Sequence, residues 1–309
     1  MINVFIDGSA GTTGLRIVER LNARTDISLI TLPEEARKNI NARKEAINSA
    51  DIAFLCLPDA AAIEAVSLAE NKNTAIIDTS TAHRVNPEWA YGFPELNKGK
   101  NCEIIKNSKR IANPGCHASG FVALIEPLVG SGILPKDAFL SCTSLTGYSG
   151  GGKKMIAEYE AESRDQLLNA PRMYALSQSH KHLPEMVAVC GLENAPVFCP
   201  IVAPFYSGME VTVPLCGSQI KGTIDDIRGI YTEYYKKGLV SYTECADEGG
   251  FLSAAAFSGR DDMQITVCGN SERILLVSRF DNLGKGASGA AIQNMNILIG
   301  ADEAKGLDI

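Results

Sequence analysis

Basic charge is in short supply: 29 lysines and arginines stand against 36 aspartates and glutamates, a formal net charge of −7. Such a chain lacks the basic face that nucleic acid demands, although a local basic cluster can still hold a small anion. No apolar run approaches the roughly 18 residues of a membrane-spanning helix. Met1-Ile2-Asn3-Val4-Phe5 enters a strand directly, with no basic region or cleavage site, so no signal peptide is expected. Nine cysteines, an odd number without a C-x-x-C pair, argue against a disulfide framework and against a zinc site. They suit reduced thiols and a cytoplasmic location. Internal repeats, low-complexity stretches and long linkers are missing too.

What is there is an ordinary globular composition on 309 residues, enough for two domains of about 100–200 residues each. Residues 2–6 read as a short apolar strand ending at Asp7. The loop Gly8, Ser9, Ala10, Gly11, Thr12, Thr13 and Gly14 follows, and then a helical pattern at Leu15, Ile17, Val18 and Leu21. Strand, glycine loop, helix is the context of a dinucleotide fingerprint. The glycine spacing is G-x-x-G-x-x-G, which still lets backbone N–H groups reach a pyrophosphate. Residues 27–32 read as a second strand. Where an NAD site usually places Asp or Glu, this one has Leu32-Pro33, with Arg37 and Lys38 soon after. That basic pair suits a 2′-phosphate, hence NADP; a solvated charged turn is the alternative. Strands at 52–57 and 74–78 flank a helix at 60–69, the alternation of a parallel, doubly wound sheet. Ser80 and Arg84 follow the last of these strands on the rim where ligands bind, available to an anion.

The chemistry concentrates at Asn113-Pro114-Gly115-Cys116, with Pro114 expected near the first helical position. Phe121, Val122, Leu124, Ile125, Leu128 and Val129 recur at helical spacing behind it. Cys116 therefore falls in a first helical turn, where free N–H groups and the positive dipole end favour a thiolate. The alternative is a small buried cysteine. Residues 139–145 read as a strand leading into Ser149-Gly150-Gly151-Gly152-Lys153, a loop expected to be mobile or closely approached. Helix is expected over 155–168. His180 and His182, two of four histidines, would point the same way on an extended segment. No third ligand accompanies them, so no metal is expected; an acid–base role needs only one of them near Cys116. Strands at 197–202, 209–215, 264–268 and 273–280, with helices at 225–235 and 287–298, make an antiparallel α+β domain.

Three motifs, Asn-Pro-Gly-Cys at 113–116, His-Lys-His-Leu-Pro-Glu at 180–185 and Asn-Leu-Gly-Lys-Gly-Ala-Ser-Gly at 282–289, resemble the N-acetyl-γ-glutamyl-phosphate reductase family. That family is the arginine-biosynthesis branch of the aspartate-semialdehyde dehydrogenase superfamily, and the length resembles its shorter form. The loop at 8–14 and the stretches at 78–84, 91–96 and 149–153 are similar as well. Two departures stand out: His117 where many members carry tyrosine, and Gly151 in place of an alanine.

The resemblance implies a dinucleotide-binding domain of residues 1–115 plus 284–309, and a catalytic and oligomerisation domain of 116–283 with a mostly antiparallel sheet. It implies NADPH-dependent reduction of N-acetyl-L-glutamyl 5-phosphate through a Cys116 thioester, with release of phosphate. His182 would move protons, with His180 as second choice. Ser149, Gly150 and Gly151 would line the nicotinamide and Asn282 would reach its carboxamide. Arg84, Ser80 and Lys153 would hold phosphate. A homodimer or homotetramer is expected. The rivals are a sister acyl-phosphate reductase of the aspartyl or aminoadipyl type, and a dinucleotide sensor that has lost catalysis.

Overall fold

The computed structural model describes residues 1–309, which divide into two compact units. The first comprises residues 1–94, 101–115 and 287–307; the second comprises 95–100, 116–286 and 308–309.

In chain order the first unit contains β1 (Ile2–Asp7), α1 (Thr12–Asn22), β2 (Ile27–Ile30), α2 (Ile40–Ser49), β3 (Ile52–Leu55), α3 (Asp59–Ser67), β4 (Ala75–Asp78) and β5 (Ala90–Tyr91). Then come α4 (Lys100–Lys106), nearly all of it in this unit, and β6 (Arg110–Ala112). The strands form one all-parallel sheet in the order β2-β1-β3-β4-β6-β5. Its central strands β3 and β4 are buried on both faces, as a doubly wound sheet requires. On β1 and β3, Val4, Ile6, Ile52 and Phe54 join α1 in one core. Phe5, Ala53 and Leu55 alternate to the other face, against Ala46, Ile47 and Ala65 of α2 and α3. The strand order reverses at β1 and β3, the switch point where such sheets bind ligands.

The second unit begins with α5 (Cys116–Gly130), β7 (Ser141–Gly147), α6 (Gly152–Glu160), β8 (Arg172–Met173), α7 (Leu183–Cys190) and β9 (Val197–Ala203). It continues with β10 (Met209–Cys216), α8 (Ile224–Tyr234), β11 (Val240–Tyr242), β12 (Met263–Gly269) and β13 (Arg273–Phe280). The chain then returns to the first unit as α9 (Gly289–Leu298). The seven strands run β11-β12-β13-β10-β7-β9-β8, antiparallel except at β11–β12 and β7–β9. Both architectures expected from the sequence are therefore present.

Helix α5 packs on β10 and β13 and is buried all round. Pro127 lies inside it and offers no N–H to the carbonyl of Ala123, four residues back. The hydroxyl of Tyr235 donates to that carbonyl at 2.6 Å, and Tyr231 donates to the next one, of Leu124, at 2.5 Å. A buried carbonyl left bare would cost about 1–3 kcal/mol, so these two tyrosines permit the proline.

Two expectations fail locally. Helix α6 stops at Glu160, not at 168: Ala161 is extended and Asp165 caps a separate short turn at Leu167. Of the two readings of the glycine run at 150–152 the mobile one fails, since Tyr148–Gly151 forms a helical turn opening α6. No helix is long and apolar enough to cross a membrane.

Candidate active site

Cys116 is the first residue of α5, two positions later in the helix start than Pro114 alone suggested. The turn before it is held within the first unit. Asn113 N–H donates to Asp78 O at 2.7 Å, its Nδ2 donates to Ala287 O at 3.0 Å, and its own carbonyl accepts from Arg84 Nε at 2.9 Å. Arg84 also donates to Thr79 O at 2.9 Å, so it braces the backbone leading into the cysteine. Ser80 spends its hydroxyl proton on Asp78 at 2.7 Å.

The Cys116 side chain is half-buried, and the turn after β13 lies on it. A Cβ at Gly286 would come within 3.0 Å of Cys116 Cβ, so only glycine lets that turn approach. Asp281 fixes the turn by accepting the N–H groups of Leu283 at 2.7 Å and Gly284 at 2.9 Å. Lys285, 1% exposed, is pinned to both oxygens of Glu95 at 2.8 and 2.9 Å. Asn282 is buried; it accepts from Gly208 N–H and donates to Ser149 Oγ, both at 3.0 Å. It thus ties the 149–151 turn to β10's approach. At Gly151 a Cβ would meet Met155 Sδ at 2.4 Å and Met155 Cβ at 2.6 Å, so methionine fills the place an alanine methyl would take. Lys153 is exposed on the first turn of α6.

His180 and His182 come together, but on a turn and not on an extended segment. His182 has helical backbone angles as the N-cap of α7, and Pro184 lies in the first turn of that helix. The His182 N–H donates to His180 Nδ1 at 3.2 Å, and the rings meet edge-on with centroids 4.7 Å apart. As an acceptor, His180 Nδ1 carries no proton, which leaves the proton of a neutral ring on Nε2. Burial, with Lys181 nearby, holds His180 below the usual histidine range.

His117 was read only as a departure, and it proves central to this cluster. Its ring sits 5.7 Å from that of His180 and 5.6 Å from that of His182. Nδ1 is 2.7 Å from Ser144 Oγ and Nε2 is 2.6 Å from the Tyr174 hydroxyl. Burial, then the charge of His180, pushes it down to about 3. Tyr174 is raised by burial and by the charge of Cys116. Neither Ser144 nor Tyr174 carries a sequence signal, since both come from distant segments.

In the first unit the 8–14 loop fits a dinucleotide. Gly8 has φ +83°, and a Cβ there would sit 2.2 Å from Cys56 O. At Gly11 the one atom such a Cβ would meet is Gly8 O, at 3.4 Å, so the backbone is open to a ligand. Thr12 opens α1 with a buried hydroxyl that has no hydrogen-bond partner, at the helix end that attracts phosphate. Arg37 and Lys38 are exposed on the turn after β2. No group of three or more His, Cys, Asp or Glu side chains could hold a metal ion.

Comparison with known proteins gives a consistent picture. The family model of the semialdehyde dehydrogenase NAD binding domain matches residues 3–104, and that of the semialdehyde dehydrogenase dimerisation domain matches 116–282. Proteins of Brucella ovis and Brucella suis named N-acetyl-gamma-glutamyl-phosphate reductase are 44% identical over 306 residues, covering 96% of this chain and 98% of theirs. Among solved structures, aspartate semialdehyde dehydrogenase II of Vibrio cholerae superimposes with TM-score 0.72 at 17% identity, over 97% of this chain and 98% of that one. Aspartate semialdehyde dehydrogenase of Candida albicans, solved with NADP, gives 0.67 at 15% identity, over 97% and 98%. At those identities the likeness is one of fold.

Proposed function

Because the chain belongs to the semialdehyde dehydrogenase family, we propose that it reduces N-acetyl-L-glutamyl 5-phosphate to the 5-semialdehyde and phosphate, reversibly, with NADPH, in arginine biosynthesis. The relatives named for that reaction, alike along nearly the whole chain, support the substrate. The observation that carries the chemistry is Cys116 as the first residue of a fifteen-residue helix, in the same unit as the His180–His182 pair.

In this reading the Cys116 thiolate attacks the acyl carbon, the carbon–oxygen bond to phosphate breaks, and a thioester forms on the sulfur. Two easier steps replace one hard one. Backbone N–H groups of the first turn of α5 would meet the charge developing on the acyl oxygen; one such donor is worth about 3–4 kcal/mol where it has been measured. NADPH, when bound, supplies the hydride that reduces the thioester carbon. Cys116 then departs as thiolate while the carbonyl re-forms. His182 takes the thiol proton before attack and returns one to the site afterwards. The proton-free Nδ1 of His180 is already occupied by the His182 N–H, which supports His182 over His180 as the base.

The 8–14 loop and the Thr12 hydroxyl would hold the pyrophosphate, and Arg37 and Lys38 the 2′-phosphate. Ser149, Gly150, Gly151 and Asn282 would line the nicotinamide. Arg84 and Lys153 would draw the departing phosphate by their charge, whereas Ser80, expected to join them, has given its hydroxyl proton to Asp78 at 2.7 Å. The dimerisation-domain match supports an oligomer, here proposed as a homodimer or homotetramer acting in the cytoplasm. The NADP-binding part would be the first unit, residues 1–94, 101–115 and 287–307, close to the 1–115 plus 284–309 expected from the sequence, and the catalytic part the second.

The test runs in the reverse direction with N-acetylglutamate semialdehyde, phosphate and NADP. Formation of NADPH is expected, with aspartate semialdehyde at least about 10²-fold poorer in kcat/KM. Turnover on aspartate semialdehyde alone would reject the substrate. NADPH binding without any turnover would favour the sensor.

A further inference from the structure

The Cys116 helix contributes a second polar side chain to the buried cluster, and its hydrogen bonds have a direction. Ser144 is 0% exposed, and its hydroxyl makes one side-chain hydrogen bond, to His117 Nδ1 at 2.7 Å. A buried hydroxyl proton goes to the acceptor it can reach, because leaving it unmade costs about 1–3 kcal/mol. His117 is neutral in its apolar surroundings, with Phe198 edge-on at 5.4 Å, and a neutral imidazole has one N–H. If Nδ1 accepts from Ser144, that N–H is on Nε2. Nε2 must then donate to the Tyr174 oxygen 2.6 Å away. The phenol keeps its own proton, and that proton has to point away from His117. The opposite tautomer would strand the Ser144 proton in the core.

We propose that His117 is a positioning residue. Through one-way hydrogen bonds from Ser144 to His117 to Tyr174, it turns the Tyr174 proton toward the Cys116 end of the site, to donate to the acyl oxygen. The proposal rests on the acyl-transfer reading above. In it Tyr174 would be the catalytic donor to the acyl oxygen, and His117 acts only through the Tyr174 hydroxyl it holds at 2.6 Å. No proton is transferred along the chain. The phenol, raised by burial and by Cys116, stays protonated and serves as a fixed dipole. A residue with no acceptor nitrogen at position 117 could not set this direction, so the histidine has a defined task there.

Two measurements test it. Neutron diffraction from deuterated crystals of the resting enzyme reads the tautomer directly. Deuterium is expected on His117 Nε2 and not on Nδ1, with the Tyr174 deuteron directed away from the imidazole. Deuterium on Nδ1 overturns the proposal even if the enzyme turns over the N-acetylated substrate. An enzyme with the expected tautomer but inert toward acyl phosphates would instead fail the functional reading.

The second measurement is kinetic. Tyr174→Phe is expected to lower kcat by about 30- to 100-fold with KM within about twofold. His117→Phe should lower kcat about tenfold, and Ser144→Ala, which keeps the imidazole, several-fold. Added to Tyr174→Phe, either change should cost no more than about twofold further, because both act through the missing hydroxyl. Losses that multiply in the double variants overturn the proposal. Ser144→Ala keeps this arm decisive should His117→Phe fail to fold.

Discussion

In the proposed reading, the glycine loop of the first unit and the cysteine–histidine cluster of the second hold their ligands by opposite means. The loop works by leaving atoms out. Its geometry is set by backbone, by the left-handed Gly8 and by the bare N–H end of α1. Seven consecutive residues suffice. The cluster works by bringing atoms in: α5, β7, the segment before α7 and the turn after β13 each supply a side chain or a close approach. A site of the first kind tolerates changes of side-chain chemistry but no added volume. A site of the second kind depends on the direction of each proton and tolerates few changes of chemistry at all.

The sharpest way to separate the two is Cys116→Ser, which removes the thiolate and leaves the loop untouched. Turnover should fall at least about 10³-fold while NADP affinity, followed by fluorescence titration, stays within twofold. Near-native turnover would remove the covalent step. Within the cluster, His182→Asn should lower kcat about 10²-fold and His180→Asn clearly less; the reverse ranking would reassign the base. The complementary change in the loop is Gly8→Ala, which forces a Cβ against Cys56 O at a positive φ. It should weaken NADP binding and cost about 2 kcal/mol or more of stability, read from NADP titration and the shift in Tm. An alanine there with unchanged Tm and affinity would end the account of the loop.

The smallest effect concerns pH. His117 falls from 6.5 in the open chain to about 3 when folded. Between those values the unfolded chain binds the extra proton, so the stability that neutral His117 permits is intact above 6.5 and is lost as pH falls toward 3. The slope is about 1.4 kcal/mol per pH unit within that window. Chemical denaturation at pH 7 and pH 5 should therefore show a larger stability loss for the native enzyme than for His117→Phe. Equal losses would mean that His117 is protonated in the fold.

How much of this was readable depended on whether the partners were near in sequence. The β13 boundaries, Arg273–Phe280, follow from a run of β-type residues, and the loop at 8–14 from local spacing. Helix α7 was missed because two histidines two apart suggested an extended segment, although Leu183-Pro184-Glu185 is itself a helix start. Pro127 inside α5 is harmless only because a tyrosine 112 residues away from Ala123 supplies the missing donor, which no local pattern reveals. The same holds for His117, whose partners lie 27 and 57 residues further along. The histidine itself was visible in the sequence; its hydrogen-bond partners were not.

The contact between Gly151 and Met155 sets an order on how this chain can change. Alanine at 151, entered first, lands on the methionine's Cβ and sulfur and must push the start of α6 aside. Cutting Met155 back to alanine removes the sulfur and leaves the Cβ at 2.6 Å, so only Met155→Gly, entered first, clears the added methyl, at the cost of a glycine inside α6. The two substitutions are thus a one-way street: permissive in one sequence of events, and blocked in the other.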